Sequence, residues 1–196
     1  MSLFPRFELK LPDWIERVLP PPEKVYPTAR ERMAFVIELS RLNIENGTGG
    51  PFGAAIFDME SDRLVVPGVN LVTSLNCSVM HAEIVAIMLA QKITDSYDLG
   101  GHGIPSLELV ASTEPCAMCF GAIPWSGVRR LVCGARDGDA RGIGFDEGPK
   151  MSSWASALES RGIEVVHDIC RDEAVKVLER YRDMGGDIYN SRQGNY

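Results

Sequence analysis

The chain has 196 residues, 45% hydrophobic and 24% charged, with a formal net charge of −7. These proportions fit one globular domain and exclude a disordered protein, and the acidic balance argues against a nucleic-acid partner, which calls for a basic patch or stripe. No run approaches the roughly 18 apolar residues of a membrane span and the N-terminus lacks a leader-like apolar stretch, so a cytoplasmic protein with no membrane partner is expected.

Residues 1–27 contain half of the twelve prolines, including Pro20-Pro21-Pro22. Proline removes a backbone donor and fixes φ, so this segment reads as an extended arm rather than a long helix or a central strand. Phe4, Phe7, Leu9, Leu11, Trp14 and Ile15 are too apolar for a solvated tail and predict packing on the domain or on a partner subunit. Thr28 is placed to N-cap a helix in which Met33, Val36, Ile37, Ser40 and Ile44 recur at helical spacing until Gly47.

Gly53-Ala54-Ala55-Ile56-Phe57 and Leu64-Val65-Val66, separated by the polar stretch from Asp58 to Asp62, predict a β-hairpin. From Ala82 to Ile93 the chain is apolar nearly all round, the mark of a buried helix. A strand from Leu107 to Ala111, a helix from Ala117 to Trp125 and a strand from Arg130 to Cys133 follow. A helix over 153–160, a weak strand over 164–166 and a helix over 172–181 complete the pattern. Consecutive strand–helix alternations imply an α/β sheet covered on both faces. The expected organisation is the arm (1–27), one domain (28–184) and a tail (185–196).

Five cysteines, an odd number, indicate reduced thiols. Cys133, in an apolar strand, reads as a small core residue, and His102 and His167 as surface or loop residues. The chemistry lies in His81-Ala82-Glu83 and Pro115-Cys116-Ala117-Met118-Cys119, each opening a predicted helix. Thiolates and a neutral imidazole are ligands that zinc prefers, and Cys-x-x-Cys across a first helical turn points both sulfurs at one spot. The helix N-terminus favours thiolate charge. Three protein ligands, His81, Cys116 and Cys119, leave a fourth position open, where zinc can lower the pKa of a water. Glu83 reaches the same cavity without being a ligand and is suited to moving protons.

Together these motifs resemble the cytidine deaminase superfamily, whose zinc deaminases carry this signature. The resemblance runs through Pro51-Phe52-Gly53-Ala54, Gly68-Val69-Asn70 and Gly121-Ala122-Ile123, and covers roughly residues 28–150. It implies a three-layer α/β/α sandwich around a five-stranded mixed sheet, and a homodimer. Within the superfamily the chain is most similar to the bacterial-type guanine deaminases, through Trp125-Ser126-Gly127-Val128 and above all Gly144-Phe145-Asp146-Glu147.

That resemblance implies that Glu147 is a second proton shuttle, that Asn70 hydrogen-bonds the base and that Phe52 and Trp125 flank its ring. Members of this branch often carry aspartate where Glu147 stands. The resemblance further implies a C-terminal tail that closes the site, hinged at Gly185-Gly186. The expected reaction is guanine to xanthine and ammonia, a zinc-activated water attacking C2. A deaminase of ammeline or another aminotriazine differs only in substrate profile. A tRNA adenosine deaminase shares the metal motif but needs a basic surface. A non-catalytic zinc module would require a fourth protein ligand.

Overall fold

Thr28 and Glu31 satisfy each other's backbone in a capping box, with Glu31 N donating to Thr28 Oγ1 at 3.2 Å and Thr28 N to Glu31 Oε2 at 3.0 Å. The long helix that follows is α2 (Ala29–Glu45). The computed structural model describes residues 3–191. Ahead of α2, the arm contains one short helix, α1 (Trp14–Val18). Then come β1 (Gly53–Asp58), β2 (Leu64–Val69), α3 (Ala82–Ile93), β3 (Leu107–Thr113), α4 (Ala117–Ser126) and β4 (Arg130–Ala135). The chain ends with α5 (Asp137–Gly142), α6 (Trp154–Glu159), β5 (Glu164–Val166) and α7 (Arg171–Asp183).

The five strands form one mixed sheet in the order β2-β1-β3-β4-β5. β1 is antiparallel to β2 and β3, whereas β3, β4 and β5 run parallel. Side chains alternate between two cores, as the pleat requires. Ala54, Ile56, Leu109, Leu131 and Cys133 pack under α3, α4 and α6. Ala55, Phe57, Val110 and Val132 pack under α2, and α7 covers β4 beside it. The result is a three-layer α/β/α sandwich.

Two elements escape the sequence pattern. α1 interrupts the extended arm because Trp14 and Ile15 bury themselves beside Val69, Leu71 and Met80, while Leu3, Phe4 and Phe7 are exposed. α5 has two glycines in six residues and low intrinsic propensity. It is held by ion pairs of Arg141 with Asp137 at 2.7 Å and of Arg171 with Asp139 at 2.8 Å. Arg32 and Glu108 form a buried ion pair between α2 and β3 that hydropathy alone does not signal. Arg32 also reaches Asp62 and the Tyr26 carbonyl, so burial leaves neither charge unpaired.

Strand register sets the position of the site. Gly53 pairs with Val69, and Ala54 with Ala111, so the start of β1 meets the ends of β2 and β3 at one edge. Phe52, Asn70 and the loop from Glu114 to Cys116 emerge there together. No helix among the described residues is long and apolar enough to cross a membrane.

Candidate active site

His81 and Cys116 occupy the N-cap positions of α3 and α4 in extended conformation, and neither side chain caps its helix. Both face a common point instead. Cys116 Sγ and Cys119 Sγ lie 3.5 and 3.6 Å from His81 Nδ1. The three donor atoms are within 4.8 Å of one another. Zinc bonds of about 2.05 Å to nitrogen and about 2.3 Å to sulfur, at a tetrahedral angle, place those atoms about 3.6 Å apart. The triad therefore fits zinc in both donor chemistry and spacing.

The N-terminus of α4 has positive potential. Hydrogen bonding from Cys119 and from His81 outweighs burial and pulls the Cys116 thiol down to about 4. The hydrogen bond to Cys116, together with burial, holds the Cys119 thiol well above its ordinary value. One sulfur is thus a ready thiolate, and the second must give up its proton on binding metal.

A cavity of about 300 Å³ opens in front of this triad. Glu83, in the first turn of α3, is buried beside it. Burial, then the negative charge of Cys116, raises its pKa above the usual carboxylate range. Glu147 comes from the loop after α5, and it is buried while the neighbouring Asp146 is exposed. Its backbone carbonyl accepts from Ala117 N at 2.9 Å, so the acid-bearing loop also caps the cysteine helix. Burial, then the charges of Cys116 and Glu83, push Glu147 up to about 8. Two protonatable acids therefore face one metal-binding triad.

Asn70 is fully buried and lines the same cavity. Its Oδ1 accepts from Val72 N at 3.2 Å and from Gly50 N at 3.4 Å. Two N–H donors on one side fix which amide atom is oxygen. Nδ2 has no partner among the described residues and offers a donor to a ligand. Phe52 contributes an aromatic wall, its ring 5.0 Å from that of Phe145.

Phe145 and Tyr189 also line the cavity, their rings 5.0 Å apart. Phe145 sits inside the Gly-Phe-Asp-Glu stretch but was expected to play no part of its own, whereas Tyr189 belongs to the tail after Gly185-Gly186 that was expected to close the site. Tyr189 packs so closely that a Cβ on Gly50 would come within 2.2 Å of its hydroxyl. Asn190 bonds the acid loop twice, accepting from Asp146 N at 2.8 Å and donating to Gly144 O at 2.9 Å.

Trp125 is the exception and corrects the expectation that it flanks the ring. It is 79% exposed and does not line the cavity. Cys119, Ile123 and Ser126 take the buried side of α4, and Trp125 shares the outer side with Met118, two turns earlier. His102 and His167 are exposed and Cys133 is buried.

A three-layer sandwich that aims a His-x-Glu and a Cys-x-x-Cys helix start at one point defines a zinc-dependent deaminase. The family described as the cytidine and deoxycytidylate deaminase zinc-binding region matches residues 28–135. The chain belongs to that family, and it is accordingly a zinc-dependent hydrolase. Among solved structures, it is 44% identical to a guanine deaminase from Nitrosomonas europaea, covering 93% of this chain and 100% of that one, with a TM-score of 0.87. It is 45% identical to a mutant of the protein NE0047 in complex with 8-azaguanine, covering 91% and 98% of the two chains, with a TM-score of 0.86. A guanine deaminase of Bacillus subtilis is 36% identical over 111 residues, 57% of this chain and 67% of its own length.

The raised pKa of Glu147 has a consequence for stability. Between the ordinary value of 4.5 and about 8, the folded chain keeps a proton that the unfolded chain has lost. The native state then binds more protons, so stability falls as pH rises through that window. Glu147→Gln is neutral throughout. Scanning calorimetry of the metal-free proteins is expected to give the variant a Tm advantage that grows from about pH 5 to about pH 8. A constant difference across that range contradicts the assignment.

Proposed function

We propose that this protein is a guanine deaminase, converting guanine and water to xanthine and ammonia. The observation that carries this reading is the pinned amide of Asn70. It presents a donor with no partner among the described residues, in a cavity that is also lined by members of the metal triad and by two acids. A buried donor left unpaired by the wrong base discriminates strongly. The 8-azaguanine bound to the similar protein NE0047 supports a guanine-shaped ligand over an aminotriazine or a tRNA adenosine.

His81, Cys116 and Cys119 would hold the zinc, which would supply a Lewis acid able to lower the pKa of a bound water. Glu83 accepts a proton from the attacking water and delivers it to a ring nitrogen, then takes the proton of the new C2 hydroxyl and passes it to the amine, which leaves as ammonia as the C2–N bond breaks. Glu147, whose pKa is raised first by burial and then by the neighbouring Cys116 and Glu83, assists the second transfer. Asn70 orients the base by its Nδ2 donor, and Phe52 packs on the ring.

The remaining features extend this reading. The outer side of α4 exposes Met118, Gly121 and Trp125 with no polar residue among them, and Met88 of α3 is exposed as well. An apolar helix face of this kind fits the expected homodimer. The tail, 185–196, acts as a lid: Tyr189 and Asn190 already line the cavity, and residues 192–196 lie outside the described residues. Five free cysteines fit a reducing cytoplasm, and the acidic balance fits a small-molecule substrate rather than nucleic acid.

An ammonia-release assay over guanine, adenine, cytosine, their nucleosides and aminotriazines tests the substrate. Guanine is expected to dominate, and Glu83→Gln to retain zinc while losing at least about a thousandfold in kcat. A different preferred base, or substantial turnover by Glu83→Gln, overturns the reading. Light scattering after gel filtration is expected to show two chains for the native protein and one for Trp125→Glu; a monomeric native protein removes the dimer. Deleting residues 186–196 is expected to lower turnover sharply with zinc retained, and unchanged kinetics removes the lid.

A further inference from the structure

Asn70 must not only be present but turned the right way, and the structure shows what turns it. Asn43, in the last turn of α2, is fully buried and has no place in the chemistry above. Its Nδ2 donates to Asn70 O at 2.8 Å and to Gly50 O at 2.9 Å, using both hydrogens. Gly50 N is in turn one of the two donors that hold Asn70 Oδ1. A single amide therefore holds the backbone carbonyl of Asn70 and that of Gly50, the residue whose N–H helps orient the Asn70 side chain.

The chain of bonds continues outward in one direction. Asn43 Oδ1 accepts from Thr48 Oγ1 at 2.7 Å, and Thr48 Oγ1 accepts from Trp14 Nε1 at 3.0 Å. An indole N–H can only donate, and a hydroxyl can accept and pass on one proton. This polarity leaves the Asn43 NH₂ facing the two carbonyls, a role aspartate cannot fill. The packing leaves little slack, since a Cβ on Gly49 would fall 1.9 Å from Asn70 O and 2.8 Å from Asn43 Nδ2. The apolar side of the arm adds to the same wall. Trp14 and Ile15 pack with Val69 and Leu71, which flank Asn70, and with Met80, which precedes His81.

We infer that Asn43 is a positioning residue for Asn70, and that the N-terminal arm sets the orientation of the substrate-binding amide through the series Trp14–Thr48–Asn43–Asn70. The inference rests on the reading of Asn70 as a substrate ligand. It assigns the arm a part in base recognition, acting from behind the pocket without touching the ligand.

The test is a double-mutant cycle on binding of 8-azaguanine to the zinc-loaded protein, read by calorimetry beside kcat and KM. Thr48→Val keeps the side-chain shape and breaks the series, and is expected to weaken binding about tenfold and to raise KM more than it lowers kcat. Thr48→Ser, which keeps the hydroxyl, is expected to bind like the native protein, and Trp14→Phe to weaken binding in the same sense as Thr48→Val. In an Asn70→Ala background the Thr48→Val effect is expected to shrink below about twofold, because the group it orients is gone.

Equal losses in both backgrounds, or a lowered Tm with unchanged binding in both Thr48→Val and Trp14→Phe, overturn the inference and leave the role of Asn70 standing. Native affinity in Asn70→Ala overturns the role of Asn70 itself, and the inference with it.

Discussion

Everything at the site depends on one geometric demand: three soft donors from two separate helices must converge within a metal's bonding distance. His81 and Cys116 meet it because each occupies a helix N-cap without serving as the cap. The neighbouring parallel strands β3 and β4 aim α4 at the sheet edge, and α3 reaches the same edge by returning from β2. The backbone needs left at the start of α4 are met from elsewhere, by the carbonyl of Glu147. The second acid is thereby built into the wall that holds the metal ligands.

That arrangement concentrates negative charge. Two cysteines, Glu83 and Glu147 crowd around one cavity, and burial together with the charge of Cys116 raises the carboxyls. In water this would be a defect. In a deaminase it keeps protons available on groups that must donate them, at a cost in stability carried by the rest of the sandwich. The buried pair of Arg32 and Glu108 follows the opposite rule, each charge matched and hydrogen-bonded. Among the described residues, the two buried acids of the site have no such arginine partner.

The sheet and its principal helices were legible because each carries a clear signal: short apolar runs in β1 and β3, a longer one in α3, and helical spacing behind the N-cap Thr28 in α2. α1 and α5 were not, since one lies among prolines and the other among glycines, and both are held by tertiary contacts rather than propensity. The metal triad was legible from the joint occurrence of His-x-Glu and Cys-x-x-Cys, each opening a helix, because ligands so placed permit few geometries. Glu147, Asn70 and Phe52 needed the resemblance to known deaminases, and all three line the cavity. Trp125 shows the limit of that route, for a residue shared with a family motif faces outward on this chain. Tyr189 belongs to the tail expected to close the site, but Asn43 was invisible because its partners lie far along the sequence.

The central claim is that the triad holds zinc with a position left open for chemistry. The X-ray absorption spectrum at the zinc edge of the purified protein tests it most directly. The account predicts one zinc per chain with two sulfur neighbours near about 2.3 Å and two lighter neighbours near about 2.0 Å, one of which changes when 8-azaguanine is added. A spectrum with a third sulfur, or one that does not respond to 8-azaguanine, would contradict it.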